Sequence, residues 1–224
     1  MSRISLILPY WDRAGAADES LRLLARTYPS LDLEVVLVDD GTPEPYHPPA
    51  AALPVTLVRL PLKHEPKSPC TPWNAGVAAS SGRIVVLSCI EILHTAPVLE
   101  QLADDVERRG PDAYVLAAAW CPEQTRWHCH SSVVKPGLPP GAGLGFCAAL
   151  HRELFHRAGG FDERYRDGAG YEDDDFAWRL HRAGAQFSHR DDLVVTHPKR
   201  GARINWGAAK FARNEQIYRS TWFR

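Results

Sequence analysis

The stretch ISLILPYWDRAGAADESLRLLARTYPSLDLEVVLVDDGT, residues 4–42, decides the fold. Ile4 to Leu8 is an apolar run ending at Pro9, the pattern of a buried strand. Asp18 to Tyr28 then sets Leu21, Leu24, Ala25 and Tyr28 on one helical face, and Pro29 stops it. Val35 to Val38 is a second buried run, closed by Asp39-Asp40-Gly41. Outward from this unit the alternation continues. The Pro-rich stretch from Thr42 to Pro54 reads as loop, and Val55 to Leu60 as a third strand. Thr71 can cap a helix with Pro72 at its first position and Gly82 as its stop. Ile84 to Leu87 is a fourth strand. Thr95 and Pro97 open a helix with Val98, Leu99, Leu102 and Val106 on one face, ended by Gly110. Repeated strand–helix units predict an α/β protein with a doubly wound, mostly parallel sheet flanked by helices.

Such sheets bind ligands at the carboxyl ends of their strands. Polar residues stand at three of those ends: Tyr10 and Asp12, Asp39 and Asp40, and Ser88 with Glu91 just beyond. The second half is less regular. Ala113 to Ala119 reads as a strand and Arg152 to Ala158 as a helix. Residues 121–145, rich in Pro, Gly, Cys and His, read as a long loop or mobile flap.

Composition narrows the function classes. The 224 residues are 45% hydrophobic and 24% charged, ordinary for one soluble globular domain. A net charge of −1 gives no bulk attraction to nucleic acid. No stretch is apolar enough to span a bilayer. Five cysteines, at 70, 89, 121, 129 and 147, include no CxxC pair, so the expected compartment is a reducing cytoplasm. The His128-Cys129-His130 run near Cys121 lacks zinc-site spacing for the same reason.

The richest string is GGFDERYRDGAGYEDDDFAWRL, residues 159–180. Glu172 to Asp175 precede Phe176, Ala177, Leu180 and Ala183, which have helical spacing, so the four acids occupy a first turn. One or two acids would satisfy the helix dipole. Four repel one another, and crowding of like charges raises a carboxyl pKa, as a general base requires.

This string resembles the acceptor-side motif of inverting GT-A glycosyltransferases. GGFDE followed by an ED helix start is similar to the family-two transferases. GYEDDDFAWRL is similar to the C-terminal segment of animal β-galactosyl- and N-acetylgalactosaminyltransferases. ISLILPYWD resembles the family's opening strand, EVVLVDDGT its second strand with a nucleotide-binding Asp, and TPWNAGVAASSGRIVVL its Asn-x-Gly helix leading to the metal-site strand. The resemblance runs from about Ile4 to His197. It implies a GT-A, Rossmann-like single domain over residues 1–224. A nucleotide-sugar lobe would span about 1–95, and an acceptor lobe with a C-terminal helix about 96–224.

The resemblance further implies Asp173 as the catalytic base, with Glu172 as its alternative or an acceptor-orienting group. It implies nucleotide-sugar binding by Pro9, Tyr10, Asp12, Asp39, Asn74 and Gly76, and a uridine diphosphate sugar as donor. It also implies Mn2+ or Mg2+. The family usually ends its fourth strand in Asp-x-Asp, but here the string is LSCIEILH, residues 87–94, so Glu91 is the carboxylate left for the metal. His197, in VVTHPKRG after the strand-like Leu193 to Thr196, is the second expected ligand. The partners expected are a nucleotide-sugar donor and a carbohydrate or other hydroxyl-bearing acceptor. The tail from Lys199 to Arg224 has seven Lys or Arg and one acid, Glu215. It reads as an amphipathic helix packed on the sheet with a solvated basic face. Closure over the diphosphate is the alternative, or peripheral contact with the inner face of a membrane.

Two rivals differ in kind. A nucleotidyltransferase carries a Gly-rich, basic loop after its first strand, whereas PYWDRAGAADES has one Gly and one Arg. A catalytically inactive sugar- or nucleotide-binding GT-A protein would account for the missing Asp-x-Asp.

Overall fold

Apolar runs with small or β-branched residues become strands buried on both faces. The computed structural model describes residues 3–49, 53–63, 65, 68–199 and 207–223. Strands β1 (Ile4–Tyr10), β2 (Leu33–Asp39) and β4 (Ile84–Ser88) are almost wholly buried, as parallel strands covered by helices must be. β3 (Val55–Arg59) lies half-exposed beside β2, at one end of the sheet. Helix α1 (Ala14–Thr27) buries Ala17, Leu21 and Leu24, α2 (Cys70–Ala79) buries Trp73 and Val77, and α3 (Leu99–Arg109) buries Leu99, Leu102 and Val106.

The sheet continues with β5 (Ala113–Cys121), β6 (Arg126–Cys129), β7 (Cys147–His151) and β8 (Gln186–Thr196). The strand order is β3-β2-β1-β4-β7-β5-β6, with β8 also on β5. β1, β2, β3 and β4 run parallel; β7 is antiparallel to β4 and to β5, and β8 is parallel to β5. The carboxyl ends of β1, β2, β4, β5 and β8 therefore meet along one edge, and β1–β4 is where the winding order reverses. The mostly parallel sheet expected from the alternation is present, with β6 and β7 as added antiparallel members. Of residues 121–145, Cys121 ends β5, and beyond it only Pro122–Gln124 and Arg126–Cys129 form regular structure.

Helices α4 (Arg152–Ala158) and α5 (Glu172–Arg182) pack on each other, and α6 (Ala208–Trp222) lies on α5 and the short turn Glu163–Tyr165. The tail is thus a helix, but its chief support is α5 and not the sheet. Trp178 of α5 and Trp222 of α6 stack with centroids 5.7 Å apart, and Arg182 caps the Trp222 face at 4.2 Å. Among the described residues no helix is long and apolar enough to cross a membrane.

Candidate active site

The edge of strand ends collects most of the residues the sequence singles out. β1 leads through Asp12, which has a left-handed backbone (φ 44°), into Arg13 at the start of α1. β4 leads into Cys89 and Glu91. A bridge between Leu93 and Thr196 laces this segment to the end of β8, and His197 N–H donates to the Trp120 carbonyl at 2.8 Å. Glu91 and His197, far apart in sequence, are thereby brought face to face: Glu91 Oε2 lies 3.9 Å from His197 Nε2. Arg13 Nε holds the other carboxylate oxygen at 2.6 Å. His197 stacks on His128 at 4.8 Å and meets Phe146 edge-on at 5.1 Å. Burial pulls its imidazole below the ordinary value against the opposing pull of Glu91, which favours the neutral, ligating form. His197 Nδ1 is buried without a partner.

That donor set fits a small divalent ion in part. An imidazole and a carboxylate at this spacing can share one ion, and oxygen ligands of a substrate can complete its shell. Among the described residues no group of three or more His, Cys, Asp or Glu is placed to hold a metal by protein ligands alone.

The acidic string sorts itself by partner. Asp162 caps the following turn and pairs with Arg164 and Arg179. Glu163 accepts from Thr71 at 2.6 Å and Asn74 at 2.8 Å. Asp174 binds Lys135, and Asp175 accepts from Arg179, Tyr165 and Trp222. Glu172 accepts from Ser68, though its Oε2 is buried and unsatisfied. Among the described residues Asp173 has neither hydrogen bond nor ion pair. Gly170 and Tyr171 are both left-handed (φ 67°), a turn that Tyr171 adopts at a conformational cost and from which α5 starts with Glu172 buried and Asp173 exposed.

Asp173 borders a small recess lined by Trp73, Leu87, Tyr114, Gly145, Phe161 and Phe176. Solvent reaches its side chain, yet the surrounding protein strips enough water to push its carboxyl up. The Asp174 charge adds to this rise and Lys135 opposes it. The Glu172 carboxyl is also raised, first by burial and then by Asp173. The Cys89 thiol is pushed well up by burial and by the charges of Asp173, Glu91 and Glu172. Asp173, Glu91 and Glu172 thus all lie near this one residue beyond β4.

Other expected donor contacts are occupied by the fold. Asn74 donates to the Phe161 carbonyl at 2.9 Å and to Glu163, and accepts from Phe161 N–H at 2.9 Å. It ties α2 to the GGFDE turn, and Oδ1 keeps a second lone pair. Gly76 is also engaged in packing. A Cβ there would collide with Ile7 and stand 3.0 Å from Val38, so the glycine lets α2 press onto β1 and β2. Asp39 is wholly buried; Oδ1 accepts from Gly41 N–H, Thr42 N–H and Thr42 Oγ1, and Oδ2 from Arg59 at 2.8 Å and Tyr46 N–H at 3.5 Å. Tyr10 is buried under Tyr46, their rings 4.6 Å apart. Pro9 is half-buried and Asp12 exposed. Lys199 donates its N–H to Glu123 at 3.0 Å, while Arg200 lies outside the described residues.

Sequence reasoning passed over Arg13, Phe146 and Lys135. Arg13 had a signal, a lone arginine after a first strand; Lys135 had none, because its partner is set by tertiary folding.

Known structures share this fold. The chain superimposes on S. aureus TarS 1–349 in complex with UDP with TM-score 0.73 and 16% identity, covering 97% of this chain and 64% of that one. The same protein with UDP-GlcNAc gives 0.71 and 16%, covering 97% and 66%. The mannosyltransferase PcManGT from Pyrobaculum calidifontis, in complex with GDP-Man and Mn2+, gives 0.59 and 21%, covering 99% and 61%. The fold is GT-A. At these identities the likeness establishes the fold, and the chain spans under two thirds of each of those structures. A family profile described as the N-terminal domain of galactosyltransferase matches residues 125–199, about a third of the GT-A chain, including the EDDD turn and His197. No curated protein matches the chain.

Proposed function

We propose that this chain is an inverting glycosyltransferase that moves a sugar from a nucleotide-diphosphate donor to an acceptor hydroxyl, with Asp173 as the base. The observation that carries the reading is the isolation of Asp173. Each acid around it is tied to a named partner, and this one borders a small recess beside Trp73, Leu87 and Tyr114 with its proton affinity raised. A base must be unpaired, reachable and tuned toward neutrality. The fold and the partial family match support the same class.

In this reading the acceptor oxygen attacks the anomeric carbon as the bond to the diphosphate oxygen breaks. Asp173 takes the hydroxyl proton, and the nucleoside diphosphate leaves. Mn2+ or Mg2+ held by Glu91 and His197 would supply charge neutralisation for the diphosphate. Glu172 orients the acceptor. Residues 1–95 form the donor lobe and 96–224 the acceptor lobe.

A uridine diphosphate sugar is the donor proposed. Tyr10 and Asp39 end adjacent strands in register with each other, and the long 3.5 Å bond from Tyr46 N–H to Asp39 Oδ2 is the contact an imide N–H would have to displace. The mannosyltransferase complex with GDP-Man argues for testing guanosine donors in parallel. The test is release of nucleoside diphosphate from a panel of UDP-, GDP- and dTDP-sugars, with and without Mn2+. Metal-stimulated turnover of a UDP-sugar is expected. Failure to bind or turn over any donor would remove the transferase reading.

A further inference from the structure

The loop from residue 130 to 146 crosses the start of α5 and is pinned there by backbone. The Gly137 carbonyl accepts from Trp178 Nε1 at 2.8 Å and from Tyr218 Oη at 2.7 Å, so it is seated between α5 and α6. His189 Nε2 contacts the Gly141 carbonyl at 3.1 Å, and Asp191 binds Ser131 N–H at 2.9 Å. Two residues before Gly137, Lys135 reaches back to Asp174, with Nζ 2.6 Å from Oδ1 and 2.7 Å from Oδ2. Asp174 is buried, and Lys135 is the cation that pairs with it among the described residues. A buried carboxylate left alone costs far more than an exposed one. Its charge would also fall on its neighbour, Asp173.

We propose that Lys135 is a positioning residue that keeps Asp173 in its charged, proton-accepting form by neutralising Asp174 from the 130–146 loop. This rests on the reading of Asp173 as the base. The groups that face Asp173 are few. Glu172 and Asp174 flank it on α5, Cys89 lies beyond β4, Tyr114 on β5 and Cys70 on α2. The thiols and the phenol are held neutral, and the charge among these that disfavours the charged base is that of Asp174. Lys135 is the group that opposes it. Because the lysine belongs to the loop and the acids to α5, seating of Gly137 between Trp178 and Tyr218 is what delivers the compensating charge. A loop lifted from those two side chains would leave Asp174 unpaired and Asp173 harder to ionise.

The test reads Asp173 directly, by the carboxyl carbon shift of 13C-aspartate-labelled protein across pH, assigned with Asp173→Asn. Lys135→Met should move the Asp173 titration upward by about one pH unit or more. Lys135→Arg should hold it near the starting value. Lys135→Met combined with Asp174→Asn should bring it back, because the charge needing compensation is gone. An unchanged titration in Lys135→Met overturns the proposal. So does a shift that the double substitution fails to reverse, since Lys135 would then act by another route. Should Lys135→Met not fold, the Asp174→Asn background decides: further loss of the lysine there must shift Asp173 by well under one pH unit, and a shift of about a full unit or more contradicts the account. None of these readings needs a substrate, so failure of the base assignment, seen in the activity of Asp173→Asn, stays separate from failure of this inference.

Discussion

His197 Nε2 stands 3.9 Å from Glu91 Oε2, and the bridge between Leu93 and Thr196 is what holds them there. The pair joins the segment after β4 to the end of β8, two strands that do not touch each other in the sheet. Arg13, arriving from β1, closes the group from the third side. In the proposed reading, a diphosphate meeting this edge would find Arg13 and the ion that Glu91 and His197 would hold.

Removal of divalent ions should therefore weaken binding of uridine diphosphate, and Mn2+ or Mg2+ should restore it. Glu91→Ala should reproduce the loss with metal present, by about tenfold or more, which is roughly 1.4 kcal/mol. Calorimetry of free uridine diphosphate checks both. Equal affinity in excess chelator would take the metal out of the account and leave Arg13 as the diphosphate's cation.

Gly76→Ala should lower stability by about 1–3 kcal/mol, because the added methyl must displace Ile7 in a packed core. The melting temperature should fall by several degrees, while the affinity of the folded fraction for nucleotide stays as it was. Loss of nucleotide affinity at unchanged stability would return Gly76 to the donor site.

How much of this was readable beforehand follows from range of interaction. β1, β2, β4 and the helices between them announce themselves through local periodicity and caps. β7 did not: CAALH has little strand propensity, and it is a strand because β4 and β5 flank it. Gln186 to Asp192 is polar and becomes the first half of β8 only by pairing with β5. In the site, Glu91, His197 and Asp173 could be named from motif order. The engagement of Asn74 with Phe161, and of Lys135 with Asp174, spans the chain and has no local sign. Motif order likewise gave no sign that Asn74 and Gly76 help to pack α2 against the GGFDE turn, β1 and β2.

Acid should destabilise the protein through His94. Its imidazole is buried against Tyr28, with Nε2 unsatisfied, and burial pushes its pKa down to about 4. The unfolded chain binds a proton near pH 6.5 and the folded one resists it. The stabilising contribution is therefore complete above about pH 6.5 and is lost progressively as pH falls toward 4. Urea unfolding across this window should show a steeper loss of stability in the native protein than in His94→Gln. Parallel curves for the two would refute the assignment.

The central claim is that Asp173 removes the acceptor proton. The most direct measurement compares sugar transfer and donor affinity in the native protein and in Asp173→Asn, using the UDP-sugar with the highest turnover. The substitution keeps the shape of the side chain and removes its capacity to accept a proton. Transfer should fall by at least about 10²-fold, the scale of general-base catalysis, with the calorimetric affinity for the donor nearly unchanged. Transfer retained within a few-fold of the native rate would contradict the account and move the search for the base to Glu172.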